Sequence, residues 1–134
     1  MKRIFLILIL SVAFNSCSKD KVSTDRFKGV WEYENHFGYP FNNNYLPPGN
    51  GRIIILFADG KFEQRRHDTV VFRGRYFLKQ QKDCYGDEKK TYLTTSDNNF
   101  AWDSYIEIDS GKLKLSTPNC YSDGGTTVYH KIGE

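Results

Sequence analysis

From residue 27 to 132 the chain falls into short apolar-alternating segments separated by turn residues, and no segment shows the 3.6-residue period of an amphipathic helix. The segments are 27–35, 52–57, 61–67, 70–79, 90–95, 102–108, 112–116 and 126–132. In the first, Gly29, Trp31 and Tyr33 share one face, and Val30, Glu32 and Glu34 take the other. Asp59-Gly60 and Asp109-Ser110-Gly111 mark tight hairpins. About eight short strands without a helix mean a sandwich or a barrel. Hairpins between sequence neighbours favour an up-and-down meander, and closing it removes two exposed edges. The expected fold is all-β: an antiparallel up-and-down barrel of about eight strands, wide enough to hold one small ligand.

The N-terminus sets the compartment. Met1-Lys2-Arg3 precedes the apolar run 4–10, which is too short to span a bilayer and reads as a secretory signal rather than a buried helix. It ends in Phe14-Asn15-Ser16-Cys17, which resembles a bacterial lipobox, with Phe14 where the pattern prefers Leu. Residues 1–16 are thus expected to be the signal, Cys17 the lipid-bearing N-terminus, 17–26 a flexible tether and 27–134 the barrel. Ordinary cleavage leaving a free Cys17 thiol is the alternative. Taking Lys2 and Arg3 from the 19 basic residues leaves 17 against 16 acidic, a near-neutral domain that argues against nucleic acid. Cys84 and Cys120 form an even pair in an exported chain, which suggests one disulfide; two buried thiols are the alternative.

Catalytic signals are weak. His36, His67 and His130 show no metal-ligand spacing, no Gly-x-Ser-x-Gly is present, and Glu32, Glu34 and Glu107 alternate with apolar residues as wet-face carboxylates do. No enzyme activity, metal or cofactor is expected. Arg65, Arg66, Arg73 and Arg75 read as solubility plus cross-strand pairing with Glu63 and Asp68; a patch for an anionic partner is the alternative.

Aromatic residues carry the binding hypotheses. Trp31, Tyr33, Phe57, Phe62, Tyr76, Trp102 and Tyr129 combine apolar area with polar handles, as ligand cavities do, although Trp31, Phe57 and Phe62 also serve simple packing. The connection 36–50 is long and rich in Gly, Pro and Asn, yet it carries Phe37, Tyr39, Phe41 and Tyr45. Those rings are expected to lie on something, as a ligand lid, a protein contact or a docked loop.

The order of motifs resembles the lipocalin-like small lipoproteins of Bacteroidota, within the wider calycin-type barrels. The resemblance rests on Gly29-Val30-Trp31, the long loop after it, and segments 56–62, 74–78 and 105–115. It implies that Trp31 closes the barrel floor under a basic side chain of the last strand, here Lys131, and that the open end takes a small apolar molecule. The expected protein is a monomeric, outer-membrane-anchored envelope lipoprotein binding a small apolar or amphipathic ligand. Its candidate ligand-binding residues are Trp31, Tyr33, Tyr39, Phe41, Tyr76 and Trp102. The alternative is an envelope protein-interaction or inhibitor module with a packed barrel.

Overall fold

The computed structural model describes residues 22–38, 43–96, 103–118, 120, 121 and 123–134. Cys17, Tyr39, Phe41 and Trp102 lie outside the described residues, as do the signal and the first half of the tether. A short 3-10 helix, Thr24–Phe27, leads into eight strands: β1 (Gly29–Gly38), β2 (Arg52–Leu56), β3 (Lys61–Arg66), β4 (Thr69–Lys82), β5 (Lys89–Thr95), β6 (Asp103–Asp109), β7 (Lys112–Ser116) and β8 (Gly125–Gly133). They pair antiparallel in sequence order and close through β1 and β8, so among the described residues no strand is left as a free edge of the barrel. The expected up-and-down β-barrel is the architecture observed. It is consistent with a calycin-like fold.

Burial follows the predicted alternation. Trp31, Ile54, Leu56, Phe62, Tyr76, Leu78, Leu93, Ile106, Leu113 and Leu115 form one internal cluster, capped by Phe27 of the 3-10 helix. Fully burying each such side chain is worth about 1.5–3 kcal/mol, which is where a domain of this size finds its stability. Phe57, read as packing from the sequence, is instead 38% exposed, because it sits in the turn after β2 rather than inside the strand.

The strands depart from regularity in ways the sequence does not announce. β1 bulges between Tyr33 and Asn35, which inserts Glu34 and flips the following residues to the opposite face. Asn35 thereby pairs with Val128 on the outside, while His36 pairs with Thr127 on the inside and bonds its hydroxyl at 2.9 Å. β4 is longer than the sequence suggests: it runs through Gln80 and Gln81 to Lys82, where polar residues had read as a loop.

Cys84 and Cys120 are joined in a disulfide, with Cα atoms 5.5 Å apart. It links the turn after β4 to the connection before β8, which strand parity places at opposite ends of the barrel. β5 keeps its pairing with β6 only over Tyr92–Thr94, which lets the β4–β5 ribbon lean across the outer face. There the Tyr105 hydroxyl contacts Asp83 Oδ1 at 3.3 Å, and Lys90 bridges to Asp83 at 2.8 Å.

Candidate functional site

The two ends of the barrel differ. At the end where β1 begins, the Trp31 indole Nε1 donates to the Phe27 carbonyl at 2.9 Å, and Lys131 lies over its ring at 5.7 Å. This is the floor contact that the resemblance implied. Gly29 makes room for it: with φ +150, any Cβ there would come within 2.8 Å of Lys131 Cε. Tyr76, also at this end, donates its hydroxyl to the Phe57 carbonyl at 2.9 Å. Burial pushes the Tyr76 phenol up to about 12. Trp31 and Tyr76, both in the candidate ligand-binding set, thus sit in the buried cluster with their donors bonded within the protein, and Tyr76 also borders a groove of about 330 Å³ beside Thr24 and Ala58.

The opposite end is looser. Tyr33 and Tyr129 are cross-strand partners whose rings meet edge to face at 6.0 Å. Arg52 lies over the Tyr33 ring at 5.7 Å. Together with Ile54, Gln64 and Arg66 they line a cavity of about 170 Å³. Desolvation raises the Tyr33 phenol and outweighs the opposing pull of Arg52. It pushes the Tyr129 phenol further up, with a smaller contribution from Tyr33. Both rings therefore stay protonated donors near neutral pH. Tyr33 borders this cavity and Tyr76 does not, so the structure does not bring these two candidates together. Tyr129, Gln64, Arg52 and Arg66 are lining residues that the candidate set lacked.

The loop after β1 reaches this mouth by an unexpected route. Its described part, from Asn43 onward, is held by polar groups while Tyr45 stays 57% exposed. The backbone N–H groups of Asn44 and Leu46 donate to the carbonyls of His36 and Glu34, at 3.2 and 2.9 Å. Tyr33 donates its hydroxyl to the Asn44 carbonyl at 2.8 Å, and Asn35 Nδ2 donates to Asn43 Oδ1 at 3.0 Å.

The central anchor is Glu32, which is 4% exposed rather than on the wet face. Gly49 N–H and Gly51 N–H donate to its two carboxylate oxygens at 2.8 and 2.9 Å, and His130 Nε2 sits 3.2 Å away. Burial beneath the loop acts to raise the Glu32 carboxyl, but the two backbone donors and then His130 outweigh it, and the net shift is downward. Gly51, at φ +71, admits no side chain, because a Cβ would stand 2.3 Å from the His67 ring. A buried carboxylate answered by two loop N–H groups ties the loop to β1.

Among the described residues no group of His, Cys, Asp and Glu assembles that could hold a metal ion. Glu63 binds Arg73 across the β3–β4 ladder at 3.1 Å, which is the cross-strand pairing expected of that basic group, and Arg65 two residues along its own strand at 2.7 Å. A larger groove of about 570 Å³ lies on the outer face, beside Tyr105, Tyr121 and Gly125. Comparison of the chain with models of known protein families, with curated proteins and with solved structures finds no match.

Proposed function

We propose that this chain is a lipid-anchored envelope protein whose barrel binds a small amphipathic molecule at its loop-bearing mouth. The supporting observation is a mouth cavity of about 170 Å³ set between the edge-to-face Tyr33–Tyr129 pair and the arginines Arg52 and Arg66. An apolar cavity of about 150 Å³ accommodates a benzene-sized body, so this one suits a single ring or a short chain rather than a whole lipid. The Tyr33–Tyr129 pair offers an apolar wall, while Gln64 and Arg52 offer polar contacts. Attachment through Cys17 rests on the signal and lipobox-like run at the N-terminus.

The rival, a protein-interaction module, draws on exposed aromatic side chains such as Phe37, Tyr45 and Tyr121. Native mass spectrometry of the full chain, purified from its host without lipid-stripping detergent, separates the two. A bound small-molecule adduct on the lipidated mass, lost in the cavity-filling variant Tyr129→Trp, is the expected result. A clean mass in both proteins, with co-purification of a protein partner, would overturn the ligand reading. A Cys17→Ser chain that remained with the membrane would overturn the anchor.

A further inference from the structure

The register of the mouth strands places two arginines against each other. Arg52 of β2 and Arg66 of β3 are direct cross-strand partners, in the same ladder that pairs Ile54 with Gln64 and Leu56 with Phe62. Leu56, Phe62 and Ile54 all belong to the internal cluster, so alternation puts Arg52 and Arg66 on the inner face, at the rim of the barrel. Like charges directly opposite each other across a sheet are destabilising. The neighbouring cations are handled differently: Glu63 neutralises Arg65 and Arg73 on the outside. Among the described residues no carboxylate stands within ion-pair distance of Arg52 or Arg66, and Arg52 instead lies over the Tyr33 ring. Both border the cavity, with Tyr33, Gln64 and Tyr129.

We infer that Arg52 and Arg66 form a clamp for the anionic head of the mouth ligand, making it a small organic monoanion with a flat or short apolar body. This rests on the reading of the mouth as a ligand site. A carboxylate between two guanidinium groups would relieve the repulsion and accept charge-assisted hydrogen bonds from both. The apolar body would lie against Tyr33 and Tyr129, within a volume suited to one ring.

The test compares benzoate with its uncharged isostere benzamide by isothermal titration calorimetry on the full chain at low salt. Benzoate should bind at least tenfold more tightly, and Arg66→Gln should remove that advantage while leaving benzamide within about twofold. Without ligand, Arg66→Gln should melt at the same temperature or a few degrees higher, since it relieves repulsion; a purely structural arginine would give a fall. Decanoate distinguishes a free small acid from a fatty acid as the source of the head: tenfold tighter binding than benzoate would assign the clamp to a fatty acid and overturn the short-body part. Equal binding of benzoate and benzamide, unchanged in Arg66→Gln, would overturn the clamp and leave the mouth site standing. Binding of none of the probes would overturn both.

Discussion

The floor and the mouth of this barrel are built from the same residue types put to opposite uses. At the floor, an indole and a phenol are buried with their donors bonded to the Phe27 and Phe57 carbonyls, and a lysine covers the indole face. At the mouth, two tyrosines meet edge to face beside a cavity, under an arginine whose cross-strand neighbour is another arginine. The floor thus buries its indole and phenol under its own acceptors, whereas the mouth sets its tyrosine pair beside a cavity flanked by two arginines. One strand, β1, supplies both ends through Trp31 and Tyr33, only two residues apart.

The largest effect on that contrast should come from the floor. Trp31→Ala leaves a cavity, frees the Phe27 carbonyl and uncovers Lys131; it should cost about 3–5 kcal/mol, read from the midpoint of urea unfolding. A loss below about 1 kcal/mol, comparable to that of an exposed tyrosine such as Tyr45, would erase the distinction between the ends.

A smaller effect belongs to the loop that reaches the mouth. Glu32→Gln keeps the shape but weakens two charge-assisted bonds from Gly49 and Gly51, at a cost of about 1–3 kcal/mol near neutral pH. Because the folded-state pKa of Glu32 lies below its ordinary 4.5, its contribution is present above that value and lost as pH falls through the folded-state value. The wild-type chain should therefore lose stability more steeply than Glu32→Gln below about pH 4.5. Parallel acid unfolding curves for the two proteins would show that the anchor is not electrostatic.

The fold was legible because strand alternation is local: Trp31, Tyr33, Ile106, Ile108, Leu113 and Leu115 mark their faces within a few residues of chain. The turn chemistry of Asp59-Gly60 and Ser110-Gly111 marked two hairpins in the same way. What escaped depended on distance. Glu32 reads as a wet-face residue until a loop 17 positions later lays Gly49 over it. The β1 bulge, which turns Asn35 outward to hold Asn43, has no glycine to announce it. The Arg52–Arg66 opposition appears only when β2 and β3 are set in register, since 14 residues separate the two in sequence. Tyr33 and Tyr76 carry the same aromatic signal in the sequence, yet the register sets Tyr33 beside the mouth cavity and Tyr76 in the buried cluster at the other end. Composition does not say which end of the barrel a tyrosine serves.

The most direct test of a sealed floor and a receptive mouth is an amide and indole chemical-shift map of the full chain, titrated with a small aromatic carboxylate. Saturable perturbation is expected at Tyr33, Arg52, Gln64 and Tyr129, with the Trp31 indole N–H signal unmoved. Perturbation centred on Trp31 and Tyr76, or confined to the exposed Phe37, Tyr45 and Tyr121, would contradict it.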